Sequence, residues 1–332
     1  MKKTLLLVAA AVALVACSNE ETVRQSAPEA IGFDNAFVEN STRSVETPGY
    51  STTSMFTDFA VYGFVEGASL FDGVKVANEG ITNAELKSDW KYEGTQYWIA
   101  GANYDFYAVA PYNGGWSVKT GTTPTDAGAT LSFTTADGTQ DLLYASIVER
   151  QGAGEGNTAV AFTFKHILSK VKFSFENNYN ASAATIRVKN VKVTNAYTTG
   201  DVALAAAATW SNQGTAGTFL FGNAAVASAD AEEAYAFGNT QESYYERLLI
   251  PANTEWNITF DVELLVSGEV IDTYNHTAKV TIDLQPGMSY DINAEITAAN
   301  IDPEHAQEPI EFTATMTDWS NANEVDAEVV TQ

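Results

Sequence analysis

The run Trp256-Asn257-Ile258-Thr259-Phe260-Asp261-Val262-Glu263-Leu264-Leu265-Val266 decides the fold class. Trp256, Ile258, Phe260, Val262, Leu264 and Val266 share one face of an extended chain, and Asn257, Thr259, Asp261 and Glu263 share the other. That is the period of a strand with one buried and one wet face; a helix would scatter the same residues around its circumference. Upstream, Phe59, Val61, Gly63 and Val65 oppose Ala60, Tyr62 and Phe64. Tyr104, Phe106 and Ala108 oppose Tyr107 and Val109, and Val171, Phe173 and Phe175 oppose Lys170, Lys172 and Ser174. Downstream come Val280, Ile282 and Leu284, then Tyr290, Ile292, Ala294 and Ile296, with a turn at Pro286-Gly287 between them; Ile310, Phe312, Ala314 and Met316 follow. The apolar parity changes between Val188 and Val191, which predicts a β-bulge. The Ala-rich stretch from Val202 to Trp210 is ambiguous between helix and strand. The fold class is all-β, of sandwich type. A break at Asn177–Ala184 divides the chain into 44–180 and 181–332, each of ordinary domain size.

Composition narrows the function. The chain has 332 residues with 42 acidic against 17 basic side chains, a formal charge of −25. Nucleic acid is excluded as a partner, because phosphate contacts need clustered Lys and Arg. With 45% hydrophobic and 18% charged residues the chain can fill cores. One cysteine excludes an intrachain disulfide framework and a Cys-based zinc site, and His166, His276 and His305 are widely spaced. No P-loop, HExxH, GxSxG or CxxC occurs, so no enzyme, cofactor or metal is expected. Gly152-Ala153-Gly154-Glu155-Gly156-Asn157 grazes a dinucleotide fingerprint but lies between strand candidates Leu142–Val148 and Val160–Phe164, and reads as a hairpin loop. Asp261 and Glu263 read as a solvated strand face, and His166 as a hydrogen-bonded structural histidine. Trp90, Trp98 and Trp116 read as core, with a glycan platform as the alternative.

The N-terminus carries an address. Lys2 and Lys3 precede an apolar stretch from Leu5 to Val15, too short for a bilayer, which needs about 20 residues, but suited to a signal peptide. It ends in Leu14-Val15-Ala16-Cys17, which resembles a bacterial lipobox; residues 1–17 are then the signal and its lipid-bearing Cys17. Ser18-Asn19-Glu20-Glu21 resembles the surface-export signal of Bacteroides-type lipoproteins, or is a plain acidic tether. Residues 18–43 form that tether and a first strand, in which Ile31, Phe33 and Phe37 alternate with Gly32, Asp34 and Ala36. Asn40–Ser54, rich in Ser, Thr, Pro and Gly, is an exposed loop holding Arg43 and Ser44.

Taken in order, these motifs resemble fimbrillin-like subunits of Bacteroides-type (type V) pili. The resemblance is carried by the lipobox, Ile31-Gly32-Phe33, Thr42-Arg43-Ser44, Phe59-Ala60-Val61-Tyr62-Gly63, and Tyr97-Trp98 followed by Tyr104-Asp105-Phe106-Tyr107-Ala108. It continues through Phe164 to Val171, Leu284-Gln285-Pro286-Gly287 with Tyr290, and Ile310-Glu311-Phe312 with Trp319. The resemblance implies two tandem transthyretin-like β-sandwich domains and an outer-membrane lipoprotein precursor at the cell surface. A protease of trypsin-like specificity cuts after Arg43, before Ser44, and removes the first strand with Ile31, Phe33 and Phe37. The open groove then takes a donor strand from another pilus subunit. Implied partners are other pilus subunits, the protease, the outer membrane through the lipid, and a host or bacterial surface ligand. After Trp319 only Ser320–Gln332 remain, with Val325, Ala327 and Val329 alternating with Asp326 and Glu328 as a donor or intrachain strand. So short a tail favours a tip or accessory subunit over a stalk subunit. A reading of a different class is a glycan-binding lipoprotein held at the surface through Cys17.

Overall fold

The computed structural model describes residues 28–38, 57–78, 90–118, 130–179, 184–221, 235–236, 242–243, 246–301, 309–319, 324–327 and 329–331. Within them the protein is almost wholly β, as the alternation predicts. The first half contributes β1 (Phe33–Val38), β2 (Asp58–Val65), β3 (Ala68–Asn78), β4 (Trp90–Tyr92), β5 (Asn103–Ala110), β6 (Trp116–Val118), β7 (Thr130–Thr134), β8 (Leu143–Gln151), β9 (Val160–His166) and β10 (Ser169–Asn177). The second contributes β11 (Ala184–Ala203), β12 (Thr209–Leu220), β13 (Tyr235–Ala236), β14 (Glu242–Ser243), β15 (Arg247–Leu249), β16 (Asn253–Val266), β17 (Glu269–Asp283), β18 (Met288–Ile296), the single turn α1 (Ala298–Ile301), β19 (Phe312–Asp318), β20 (Glu324–Ala327) and β21 (Val329–Thr331).

Three sheets result. A seven-stranded sheet runs β1-β9-β8-β5-β2-β3-β4; a six-stranded one runs β14-β10-β18-β19-β20, with β15 also on β10; an eight-stranded one runs β21-β17-β16-β11-β7-β6, with β12 and β13 also on β11. The Ala-rich stretch is not helical. It ends β11 and, after a short bend, begins β12. The expected bulge is present: the β11–β16 register shifts between Lys189 and Lys192, with Asn190 at φ 56°. β11 is long enough to serve two neighbours, pairing β16 through residues 184–194 and β7 through 199–203.

The interior falls into three clusters. One, around Trp256, Phe260, Phe173, Phe175 and Phe312, lies between the six- and eight-stranded sheets. The other two occupy opposite faces of the seven-stranded sheet. Phe59, Phe71, Phe106, Phe162 and Phe164 gather on one, and Tyr62, Phe64, Tyr107, Tyr144, Phe133 and Leu248 on the other. Both faces of β2 are therefore buried, which is why its alternation is of apolar with apolar rather than with polar. Gly63 in β2 leaves room for this: a Cβ there would lie 2.6 Å from the Phe71 ring.

Two expectations about wet faces need correction. Lys170 and Ser174 of β10 are buried: the Lys170 ammonium lies over the Trp319 ring and near Glu246, and the Ser174 hydroxyl donates to Asp291 Oδ1 at 2.6 Å. Glu263 is also buried, at 4% exposure. Arg187 and Lys189 of β11 reach it at 2.6 and 2.5 Å and cover it with their stems. Asp261, its neighbour on the face, accepts from Asn190 and Asn275, both at 2.6 Å.

Candidate functional site

The first strand is the most unusual piece of the fold. β1 pairs in parallel with β9, Phe33 opposite Val160 and Phe37 opposite Thr163. The chain just before it reaches across to the far edge of the same sheet, past β4. Ala30 bridges Tyr97, the Ile31 amide donates to the Gln96 carbonyl at 2.8 Å, and the Trp98 amide donates to the Glu29 carbonyl at 2.9 Å. On the other side the Val160 amide donates to the Gly32 carbonyl at 2.7 Å, and the Tyr92 hydroxyl caps the Ile31 carbonyl at 2.7 Å. Residues 29–33 thus form a seam that joins the two edges of the seven-stranded sheet over its aromatic cluster.

Two side chains of the seam enter that cluster. Ile31 is 1% and Phe33 4% exposed. The Phe33 ring meets Phe59, Phe71, Tyr92 and Phe106 edge-on at 5.4–6.4 Å and stacks with Phe162 at 5.9 Å. Phe37 lies in β1, its side chain outside the described residues. At the seam's outer end Glu29 accepts two hydrogen bonds from Asn157, from the backbone N at 2.7 Å and Nδ2 at 2.9 Å. Sequence reasoning named Ile31, Phe33 and Phe37 but missed Glu29, Tyr92, Gln96 and Asn157. Only the Tyr97-Trp98 motif and the Gly-rich loop marked their neighbourhood.

The C-terminal residues pair within their own chain. Val325 lies opposite Met316 and Ala327 opposite Ala314 at the edge of the six-stranded sheet, whereas Val329 lies opposite Ile282 at the edge of the eight-stranded one. The segment changes sheets between 327 and 329. Cys17, Arg43 and Ser44 lie outside the described residues.

Three separated motifs meet at one junction. His166 shares a hydrogen bond with Asp141 through Nδ1 at 2.7 Å, and its ring stacks on Trp319 at 3.8 Å. The Lys170 ammonium lies 5.2 Å over the Trp319 ring and 3.8 Å from Glu246; burial pushes its pKa down. Gly287, from the Pro286-Gly287 turn, donates to the Leu168 carbonyl and accepts from the Trp319 amide, both at 2.9 Å. A Cβ on Gly287, at φ 72°, would lie 3.1 Å from the His166 carbonyl. The histidine is structural, as expected. None of the six tryptophans is exposed: Trp90, Trp98 and Trp256 are buried and Trp116, Trp210 and Trp319 half-buried. Among the described residues no group of three or more His, Cys, Asp or Glu could hold a metal, and no helix is long and apolar enough to cross a membrane.

A family model of fimbrillin-like proteins matches residues 42–319, most of the chain. The chain belongs to the fimbrillin-like family. Its members are fimbrial and cell-adhesion structural proteins rather than enzymes, and they work at the cell surface alongside other pilus subunits. No curated protein matches. Among solved structures, a fimbrial protein from Bacteroides vulgatus is similar over 87% of this chain and 99% of its own, with 13% identity and a TM-score of 0.53. A cell-adhesion protein from Parabacteroides distasonis is similar over 89% and 98%, with 9% identity and a TM-score of 0.50. The fimbrial anchor protein Mfa2 of Porphyromonas gingivalis matches over 91% of this chain and 100% of its own, with 12% identity and a TM-score of 0.41. At these identities the first two likenesses show the fold alone.

Proposed function

We propose that this fimbrillin-like protein is a fimbrial subunit made as an outer-membrane lipoprotein and assembled by exchange of its first strand. Cys17 carries the lipid, a trypsin-like protease cuts after Arg43, and the segment bearing Ile31, Phe33 and Phe37 leaves. A strand from a neighbouring subunit then takes its place beside β9, with main-chain bonds giving affinity and alternate side chains giving register.

One observation carries this reading: among the described residues β1 has only one strand neighbour, β9, yet puts Phe33 at the centre of the aromatic cluster. A first strand inserted this way is a replaceable filler of a groove. Arg43 follows its last residue, Val38, by a few polar positions and precedes β2, so a cut there separates β1 from the rest of the chain. A cut at Arg24 would free the lipid and leave the strand in place. The intrachain pairing of Val325, Ala327 and Val329 across two sheets favours a tip or accessory position, since donation would strip both edges.

Sequencing the N-terminus of protein recovered from the cell surface tests the reading; Ser44 is expected, and any other start counts against it. Arg43→Gln should leave the precursor uncut. A palmitate analogue should label the wild type and not Cys17→Ala; equal labelling would remove the lipid anchor from the scheme.

A further inference from the structure

The loop Gly152–Asn157 turns the chain from β8 towards β9, but it also ends on the first strand. Asn157 is fixed within the loop: the Ala153 amide donates to its Oδ1 at 2.8 Å, and its Nδ2 donates back to the Ala153 carbonyl at 3.0 Å. Its backbone N and Nδ2 then converge on a single oxygen, Oε2 of Glu29. Arg150 anchors the base of the loop. Its guanidinium lies 4.6 Å over the Trp98 ring and donates to the Ala159 carbonyl at 3.3 Å, the Thr158 hydroxyl at 3.2 Å and the Thr158 carbonyl. Two donors held in place by the loop's own bonds are a preorganised receptor for one carboxylate, and bonds of this kind to a charged acceptor are the strong ones.

Glu29, Ile31 and Phe33 are spaced two apart, so the seam reads three alternate positions of one strand: an acid at the loop, a branched aliphatic beside Tyr92 and Gln96, and an aromatic inside the cluster. We propose that loop 152–157 is a carboxylate-recognition element that, with the spaces filled by Ile31 and Phe33, admits only strands carrying acid, branched aliphatic and aromatic residues at alternate positions and running parallel to β9. This rests on the reading above, that the first strand is exchanged. The chain's own tail fails in every register. Ser320–Gln332 contains no aromatic residue. With Val325 in the place of Ile31 the loop meets Asn323; with Ala327 there it meets Val325; with Glu328 on the loop, Gln332 falls where Phe33 sits. Residues 320–332 of a second copy are therefore not the donor, which is a strand of another polypeptide carrying acid, branched aliphatic and aromatic residues at alternate positions.

The test uses the full chain cut after Arg43, incubated with fluorescent peptides and followed by polarisation. A peptide of residues 28–38 should enter the seam. Its Glu29→Gln form should bind roughly tenfold or more weakly, the cost of losing charge from paired hydrogen bonds. Its Phe33→Ala form should bind roughly a hundredfold or more weakly, as expected for emptying an aromatic site. A peptide of residues 323–331 should not enter at concentrations that saturate with the first. In the protein, Asn157→Asp should reject the unmodified 28–38 peptide and accept its Glu29→Gln form better than the wild type does, a reversal that mere distortion of the loop would not produce. Equal entry of the unmodified and Glu29→Gln peptides into the wild type, or entry of the 323–331 peptide, overturns the proposal. If even the 28–38 peptide stays out, strand exchange itself is wrong, and the selectivity falls with it.

Discussion

Phe33→Ala in the uncut protein tests how far the seven-stranded sheet depends on a strand attached along one edge. Phe33 is 4% exposed and touches five aromatic rings. Removing its ring forfeits a transfer term of about 2–3 kcal/mol. It also opens a cavity whose walls are other large rings, held from both sides by β-pairing and unable to collapse, so the full range of about 3–5 kcal/mol for Phe→Ala applies, and its upper half is expected. Urea denaturation followed by tryptophan fluorescence reads it directly, because Trp90 and Trp98 lie in the same cluster. Val270→Ala, at a side chain 44% exposed, serves as control and should change stability by less than about 0.5 kcal/mol. A loss below about 1 kcal/mol for Phe33→Ala, against a transfer term alone of twice that, would mean that the strand leaves without disturbing the cluster, and would refute the seam as a structural element.

Glu263→Gln should cost about 3 kcal/mol in chemical denaturation, because Arg187 and Lys189 lose their shared partner in a mostly buried setting. Burial alone would raise the Glu263 pKa, but hydrogen bonds and charge from Lys189 and Arg187 outweigh it and hold the carboxyl below its usual range. The pair's contribution is thus complete above the ordinary carboxylate pKa and is lost as pH falls through the lower folded value, so the gap between wild type and Glu263→Gln should narrow on acidification. At His276, burial pushes the imidazole pKa down against the opposing charge of Asp261, and Nε2 has no hydrogen-bond partner among the described residues. The unfolded chain then takes up its proton first, so wild-type stability should fall as pH drops through about 6.5. His276→Leu should flatten that slope and gain about 1 kcal/mol at neutral pH by removing an unsatisfied polar atom, measured by thermal melts across pH. Trp319→Ala should cost about 2 kcal/mol, below the fully buried range because the ring is half-buried, while Trp319→Phe should recover most of it. Equal melting of the two Trp319 variants would show that the stack with His166 carries no stability.

The strands were legible because strands such as β9, β16 and β18 bury alternate side chains, and no helix of more than one turn competes among the described residues. The bulge at Lys189–Lys192 was legible for the same reason, since an extra residue must flip the parity. What periodicity could not carry was the second neighbour of each strand. Lys170 and Glu263 look wet in sequence because their partners, Glu246 and Arg187 with Lys189, lie far along the chain or on another strand. The seam was half legible. Ile31 and Phe33 announce a buried strand, but parallel pairing to β9, some 130 residues away, has no local signature. Asn157 looked like loop filler because its role lies in hydrogen-bond direction, not hydrophobic pattern. Likewise the His166, Pro286-Gly287 and Trp319 motifs were each weak in sequence and acquire one meaning only where the chain brings them together.

The placement of the proposed cut has a physical logic that depends on tethering rather than on contacts. While residues 38 and 58 belong to one chain, β1 sees its groove at an effective concentration of the order of millimolar, and any competing strand must beat that figure. A cut after Arg43 alters no hydrogen bond of the seam and removes no ring from the cluster. It changes only the concentration against which a donor competes, from a fixed intramolecular value to that of a fragment free to diffuse away. A site inside β1 or β2 would instead damage the groove or the filler. A site before Pro28 would leave the tether intact. In the proposed scheme, cleavage in the polar stretch between β1 and β2 would convert a structural strand into a displaceable ligand, and a filler worth several kcal/mol through Phe33 would keep the cluster covered until a better strand arrives.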